Sequence, residues 1–239
     1  MRSSDVLADR DIRQRDLIPP ARLARCHAVV VGVGSVGRQV ALQLAATGIP
    51  AMTLYDPDTV GVENLAVQGF WESDLGVRKV DAVASVCHQQ CPHLELHTRP
   101  ERFRKSSVRD WSGDRVVFSC VDSIAARKLV WESVRTTARF FVDGRMAAEV
   151  IRVLASDRPV ADTHYPTTLF AAGEAYAGSC TAKGTIYAAS VAAGLMVGQF
   201  ARWLRGLPVV PDQTLNLLAA ELSVPDSSDP ASPLPWSLS

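Results

Sequence analysis

A glycine-rich hexapeptide near the start of the chain follows a run of β-branched residues and precedes an apolar periodic segment. Residues 27–33 (HAVVVGV) predict a buried strand, and residues 32–37 read Gly-Val-Gly-Ser-Val-Gly. Residues 36–47 predict a helix that ends at Gly48, and residues 51–55 predict the next strand. A strand, a tight turn, a helix and a strand within about 30 residues predict a parallel crossover unit.

The three glycines of this motif, Gly32, Gly34 and Gly37, have a physical reason to be glycine. Glycine lets the backbone approach a phosphate closely, and the N-terminus of the following helix presents free N–H groups. Asp56 ends the second strand, where a carboxylate can accept hydrogen bonds from ribose hydroxyls. The pattern predicts a nucleotide site without naming a reaction. Alone it would favour a nicotinamide or flavin enzyme, or a glycine turn without a ligand.

Strand and helix patterns alternate along most of the remaining chain. Helices are predicted at 79–90, 123–135 and from about 184 onward, and strands at 94–98, 115–120, 140–143, 149–155 and 215–224. We expect an α/β fold with a Rossmann-like, doubly wound, mostly parallel sheet and an antiparallel extension in the second half. Residues 1–224 should form a single domain, and the Pro/Ser-rich residues 225–239 a disordered tail.

Charge and composition exclude several function classes. The 239 residues contain 25 Lys+Arg and 25 Asp+Glu, so no net field favours nucleic acid or an anionic membrane. The longest weakly polar run, 186–204, is interrupted by Gln199 and Arg202 and predicts a buried helix. No signal peptide is visible in residues 1–27, so we expect a cytoplasmic protein. Five scattered cysteines without a C-x-x-C pair predict free thiols and no structural zinc.

Polar residues beyond Asp56 exceed what a simple dinucleotide site needs. They are Asp58, Asn64, Gln68, Lys79 and Asp122. A lysine at a helix start can neutralise phosphate charge, and a carboxylate after a parallel strand, facing a triphosphate, suggests magnesium. Each also has an ordinary structural interpretation as a turn cap, a solvated helix residue or a helix N-cap.

In this order and spacing the residues resemble the ThiF/MoeB/HesA family, the adenylation core of ubiquitin-activating enzymes. The resemblance runs from about residue 10 to residue 205. It rests on Arg10-x-x-Arg13-Gln14, the loop 32–37, Asp56-x-Asp58, Asn64-Leu65-x-x-Gln68, Lys79, and Asp122 with Arg127. Two features depart from the family: Val67 stands where many members have arginine, and paired zinc motifs are absent.

The resemblance implies an ATP-dependent adenylyltransferase that joins a carboxylate to AMP and releases pyrophosphate. The glycine loop and Asp56 would hold ATP, with Asp56 on the ribose, while Asn64 and Lys79 would contact the phosphates. Asp122 would bind magnesium. Family members are usually homodimers in which an N-terminal arginine, here Arg13, reaches the neighbouring subunit's ATP. The expected substrate is the C-terminal glycine of a small ubiquitin-like (β-grasp) protein.

Cys180 precedes the last long helix, where some family members carry a thiol that bonds covalently to the activated partner. A small structural residue is the competing interpretation. The substrate is also open, because related enzymes activate a carboxylate on a modified tRNA base or a short peptide. A non-catalytic nucleotide-binding homologue and an NAD- or FAD-binding oxidoreductase remain alternatives.

Overall fold

The computed structural model of the chain describes residues 10–169 and 184–225. Eight strands in this part form one sheet. They are β1 (Cys26–Val31), β2 (Ala51–Tyr55), β3 (Glu95–Arg99), β4 (Asp114–Ser119), β5 (Phe140–Ala147), β6 (Val150–Ser156), β7 (Asp212–Asn216) and β8 (Glu221–Ser223). The α-helices are α1 (Pro20–Leu23), α2 (Ser35–Thr47), α3 (Val62–Gln68), α4 (Lys79–Gln90), α5 (Ile124–Val134), α6 (His164–Thr167) and α7 (Ile186–Leu204).

The spatial order of the sheet is β3-β2-β1-β4-β5-β6-β7-β8. The first five strands in this order are parallel, and Val31 pairs with both Tyr55 and Ser119. The carboxyl ends of β1, β2 and β4 therefore lie level. Chain order reverses between β1 and β4, and ligands of open α/β sheets bind beside the strand ends at such a switch point.

The second half of the sheet is antiparallel, because β5–β6, β6–β7 and β7–β8 all run in opposite directions. The expected mostly parallel sheet with an antiparallel extension is confirmed. The predicted final strand over 215–224 is in fact two strands, β7 and β8, with a turn between them. Ala220 in that turn has φ +52°, so the chain reverses there.

Helix α7 packs along β5, β6 and α2 and closes one face of the sheet. Its alanines at 188, 189, 192 and 193 are fully buried, which brings its backbone close to α2. Phe200 lies against Phe118 and Phe140 with ring centroids 5.7 Å away in each case. Among the described helices, none combines the length and apolar character needed to cross a membrane.

Two connections differ from the sequence prediction. Residues 62–68, for which the sequence predicted no helix or strand, form α3, because Gly61 precedes the helix and Gly69, with φ +75°, ends it. The connection from β3 to β4 contains only the 3-10 helix Lys105–Val108, although a doubly wound sheet normally has an α-helix there. The single-domain boundary at 224 stays a prediction, and residues 226–239 lie outside the described part.

Candidate functional site

The glycine loop joins the end of β1 to α2. Gly32 has φ +85°, and its N–H donates to the Tyr55 carbonyl at 2.8 Å. A Cβ on Gly37 would lie 1.8 Å from the Gly32 carbonyl oxygen, so only glycine lets α2 pack against this turn. A Cβ on Gly34 would meet nothing closer than Gln68 Oε1 at 3.7 Å. The fold therefore does not itself require glycine at 34, which leaves a close backbone approach by a ligand as the reason.

Helix α2 begins beyond Gly34 without a side-chain cap hydrogen bond. The first N–H groups of an α-helix have no partner within the helix, and together with the helix dipole they attract anions. The loop therefore precedes a helix with free N–H groups, and phosphate binding there stays a prediction.

Asp56 connects this loop to the segment after β2. Its Oδ2 accepts a hydrogen bond from the Val33 N–H at 2.8 Å, and its Oδ1 accepts one from the Asp58 N–H at 2.9 Å. The side chain is buried, and burial raises the pKa of Asp56 although these two donors favour the charged form. Each carboxylate oxygen can accept a second hydrogen bond, so the geometry leaves acceptor capacity for a ribose hydroxyl.

Lys79 opens α4 and lies in a cleft of about 480 Å³ at the carboxyl edge of the sheet. Its Nζ donates to Asp58 Oδ2 at 3.1 Å, and its backbone N–H donates to the Asp58 carbonyl. The lysine side chain is 8% exposed, whereas the Asp58 side chain is 59% exposed. Pro57, Thr59, Glu63 and Asn64 complete the lining. A buried cation with a weakly held counter-ion can transfer its interaction to a phosphate.

Asn64 and Gln68 both lie on α3, one turn apart. Asn64 Oδ1 accepts from the Gly61 N–H at 2.9 Å, so its oxygen caps the helix, and the residue also lines the cleft beside Lys79. Gln68 Oε1 is buried without a hydrogen-bond partner among the described residues, and it faces Gly34. The structure therefore places Gln68 beside the glycine loop and Asn64 in the cleft beside Lys79, where its oxygen already bonds to Gly61.

Asp122 lies at the adjoining strand end. The preceding residues touch the loop, because a Cβ on Gly32 would meet the Cys120 carbonyl oxygen at 2.8 Å. Asp122 is exposed, and the N-cap of α5 is Ser123, whose Oγ accepts from the Ala126 N–H. No hydrogen bond of the described part occupies the Asp122 carboxylate, which fits a ligand for one cation beside a triphosphate. The described residues contain no cluster of three or more His, Cys, Asp or Glu side chains suited to a metal.

Arg127 lies behind this edge and not on it. Its guanidinium is buried and bonds to Asp143, to the Gly144 carbonyl and to the Val121 carbonyl. Arg145 also donates to Asp143, at 2.8 Å. A fully buried carboxylate between two arginines fixes the backbone that leads to Asp122, so Arg127 positions this edge.

Arg13 lies at the other end of α2. Its neighbour Arg10 donates to the Ala45 carbonyl, and Gln14 donates to the Thr47 carbonyl, so this segment is fixed at the C-terminal end of the helix. A helix of 13 residues is about 20 Å long, and the glycine loop is at its opposite end. Arg13 is exposed and cannot reach the loop of its own chain.

Cys180 lies outside the described residues. Three of the other thiols are unsuited to nucleophilic chemistry: burial raises the pKa of Cys26 and of Cys87 to about 12 and raises the pKa of Cys120 further. A thiolate is the reactive form, so these three are core residues.

Arg38, in the first turns of α2, was not among the sequence candidates. Its side chain is buried, and burial lowers the pKa of its guanidinium. Its guanidinium carbon lies 5.3 Å from the Phe70 ring centroid, and a Cβ on Gly69 would be 3.2 Å from the Arg38 Nη1 atom. Within residues 10–169 and 184–225 this guanidinium forms no hydrogen bond, and the nearby Asp74 carboxylate partly offsets the effect of burial on its pKa. An arginine directly after G-x-G-x-x-G was the available signal, and helix periodicity alone could not distinguish it from a solvated residue.

A glycine loop, a carboxylate at the end of β2 and a buried lysine at one switch point define a nucleotide-binding α/β protein. The chain belongs to the ThiF family, whose family model matches residues 10–226.

Curated relatives match shorter stretches. Adenylyltransferase and sulfurtransferase UBA4 of Scheffersomyces stipitis is 31% identical over 111 residues, which is 46% of this chain and 25% of that protein. Ubiquitin-like modifier-activating enzyme 5 of Caenorhabditis elegans is 33% identical over 122 residues, 46% of this chain and 29% of that protein. Molybdopterin-synthase adenylyltransferase of Salmonella typhimurium is 27% identical over 124 residues, 51% of this chain and 48% of that protein. The match spans less than half the length of each relative.

Solved structures agree with the fold over nearly the whole chain. The crystal structure of PaaA superimposes with a TM-score of 0.73 at 18% identity and covers 93% of this chain and 73% of that one. Escherichia coli MccB with ATP gives a TM-score of 0.65 at 14% identity and covers 88% and 66%. At this identity the likeness concerns the fold alone.

Proposed function

We propose that this chain is an ATP-dependent adenylyltransferase that activates the C-terminal carboxylate of a small ubiquitin-like protein. The observation that carries the proposal is a chain of bonds at the strand ends: Asp56 accepts from the glycine loop at Val33 and from Asp58, and the Asp58 carboxylate holds buried Lys79 in the cleft. Membership of the ThiF family and relatives named as adenylyltransferases and ubiquitin-like modifier-activating enzymes support it.

ATP would lie along the carboxyl edge of the sheet. The backbone at Gly32 and Gly34 and the start of α2 would cradle phosphate oxygens, and Asp56 would accept hydrogen bonds from the ribose. Lys79 would exchange its bond to Asp58 for a phosphate oxygen. Such exchange is favourable, because Asp58 is largely exposed and pairs weakly, while the lysine is buried.

In the reaction, a carboxylate oxygen of the partner attacks the α-phosphorus and forms a new P–O bond. The bond from the α-phosphorus to the bridging oxygen breaks, and pyrophosphate leaves with its electron pair. The enzyme must neutralise charge and hold the reactants in line, and it needs no covalent intermediate. Lys79 supplies one fixed cation. Arg38, buried beside Gly69 and Phe70 just beyond α3, is the proposed second cation where Val67 replaces an arginine.

Asp122 is the proposed ligand of Mg²⁺, which would neutralise phosphate charge when bound with ATP. One or two carboxylates plus phosphate oxygens are its usual ligands, and a single free carboxylate beside the loop fits that requirement. A homodimer with Arg13 in the partner's site and a cytoplasmic location belong to the same proposal. The absence of structural zinc and the covalent role of Cys180 stay predictions.

ATP–pyrophosphate exchange tests the reaction. Purified chain is incubated with ATP, magnesium, labelled pyrophosphate and either a ubiquitin-like protein ending in glycine or an unrelated carboxyl-terminated peptide. We expect exchange that requires the ubiquitin-like protein and falls at least about 100-fold in Asp122→Asn and Lys79→Ala, because each removes charge compensation from the α-phosphate.

Matched controls are Asp157→Asn and Lys128→Ala, two exposed residues on other parts of the surface, which should exchange like the wild type. Exchange supported only by the peptide would redirect the substrate assignment. Exchange unchanged in Asp122→Asn would contradict the proposed metal ligand. ATP binding without exchange for any partner would leave a non-catalytic homologue.

A further inference from the structure

A second cleft, of about 400 Å³, lies between one face of the sheet and the short β3–β4 connection, which supplies half of the lining residues. This connection has only the 3-10 helix Lys105–Val108 among residues 100–113. Successive side chains of each strand point to opposite faces of the sheet. On the face that borders this cleft, Val29, Val31 and Val117 form the apolar part. Toward the amino ends of the strands the same face turns polar.

The polar part is a row across adjacent strands. His27 on β1 and Thr53 on β2 share a hydrogen bond between Nε2 and Oγ1 at 2.8 Å. The His27 ring stacks on the His97 ring of β3, with centroids 6.1 Å apart and an interplanar angle of 9°. Thr53 is only 9% exposed. A sheet face buried for packing alone would carry apolar side chains, so this row needs another reason.

Three arginines, Arg99, Arg104 and Arg115, line the same cleft, and none forms an ion pair with a described carboxylate. Arg25 and Arg139, nearby on the surface, both pair with Asp114.

Arg115 is the most informative of these side chains. Its Nε is buried without a hydrogen-bond partner among the described residues, and its guanidinium carbon lies 5.9 Å from the Trp111 ring centroid. A buried donor without an acceptor is costly, and an anion in the cleft would remove that cost. Glu101 and Asp110 also line the cleft, and Glu95 bonds to His97 beside it, yet none of these carboxylates forms an ion pair with the three arginines.

We propose that this cleft, defined by Arg99, Arg104, Arg115 and the His27–Thr53–His97 row, binds a small phosphate-bearing molecule. Several guanidinium forks match the multiple oxygens of a phosphoryl group better than a single carboxylate. The hydroxyls of Ser106 and Ser107 add donors at the rim. The volume accommodates a ligand of nucleoside monophosphate size.

The site is independent of the adenylation proposal. The two clefts share no lining residue, so a ligand here would leave the glycine loop free. Either proposal can fail while the other holds.

Titration of the full chain with inorganic phosphate and, separately, with AMP tests the site. Calorimetry gives the affinity, and NMR of the His27 and His97 ring protons gives the location. We expect both ring signals to shift and the affinity to fall at least about tenfold in Arg115→Gln and in the double variant Arg99→Gln/Arg104→Gln. Arg102→Gln, an exposed arginine of the same connection, should bind like the wild type.

Each outcome decides the proposal. Comparable affinity for phosphate and AMP would identify a phosphate-ion site, and tighter AMP binding would identify a nucleotide-sized ligand. Binding lost in Lys79→Ala but kept in both arginine variants would overturn the inference, because the anion would then occupy the glycine loop. Ring signals that stay unchanged with both probes would overturn it as well. If Arg115→Gln does not fold, the exposed double variant carries the test.

Discussion

Replacing Asp56 by alanine separates the structural from the binding role of this carboxylate. The carboxylate joins the glycine loop to the β2 loop through two backbone N–H donors, those of Val33 and Asp58. Truncation leaves both without their acceptor in a buried place. Asp56→Asn keeps one acceptor oxygen and turns an amide NH₂ toward the other donor.

The magnitude follows from the count of lost bonds. A buried polar group left unpaired costs about 1–3 kcal/mol, so Asp56→Ala should lower the free energy of unfolding by about 2–4 kcal/mol. This value is the lower half of the cost summed over the two donors. We use the lower half because alanine also removes a carboxylate whose burial is unfavourable, as its raised pKa indicates. Asp56→Asn should cost about half as much.

The two variants also differ in pH dependence. Because the folded-state pKa of Asp56 is raised, its contribution to stability is fully present below the unfolded value of about 3.9 and is lost as the pH rises through the folded pKa. Asparagine does not titrate, so the stability gap between wild type and Asp56→Asn should narrow as the pH rises above 4.

Urea unfolding at several pH values measures this, with Asp157→Ala as an exposed aspartate control that should unfold like the wild type. ATP affinity is measured on the same samples. Both Asp56 variants should bind ATP at least about tenfold more weakly. An unfolding midpoint for Asp56→Ala equal to that of the wild type would refute the bridging role.

Three further predictions concern the loop, a buried ion pair and the thiols. Gly34→Ala should fold normally and lose ATP affinity, whereas Gly37→Ala, with its Cβ 1.8 Å from a carbonyl oxygen, should lower the melting temperature in a thermal scan. Burial alone would raise the pKa of Asp212, but its bonds to Arg152 lower it overall, so its stabilisation is present above about pH 4 and lost below. Asp212→Asn should therefore cost about 3–5 kcal/mol at pH 7 and flatten acid unfolding. Cys87, with a pKa of about 12, should resist iodoacetamide at pH 8 in native protein, as mass spectrometry would show.

The parallel half of the fold could be predicted because its signals are local. Strand patterns, the glycine turn and Gly48 as a helix stop follow from periodicity and backbone freedom, and β1, α2 and β2 begin and end within two residues of prediction. The pairing of β6 with β7 is a long-range contact that no local pattern specifies. Helix α3 escaped prediction because the polar residues that mark the site also read as loop residues.

The candidate site was predictable as a set of residues and less so as a geometry. The sequence placed Asp56, Asn64, Lys79 and Asp122 after β2 and β4, which lie on either side of β1, and parallel strand ends meet at one edge. For Asn64 the capping interpretation and the site interpretation both apply, because its Oδ1 caps α3 while the residue also lines the cleft. The second cleft depends on a missing helix, so it became visible only in three dimensions.

The position of Arg13 makes the homodimer testable by complementation. Because about 20 Å of helix separates it from its own glycine loop, a role at ATP requires a second copy of the chain. Arg13→Ala and Lys79→Ala homodimers should each lack exchange activity. In an equal mixture that reassorts, half of the dimers pair the two variants, and one of their two sites is then intact, so about a quarter of wild-type activity should return. No recovery after confirmed subunit exchange would contradict the shared site. It would mean either that Arg13 and Lys79 of the same chain act at one site, or that Arg13 acts at no site.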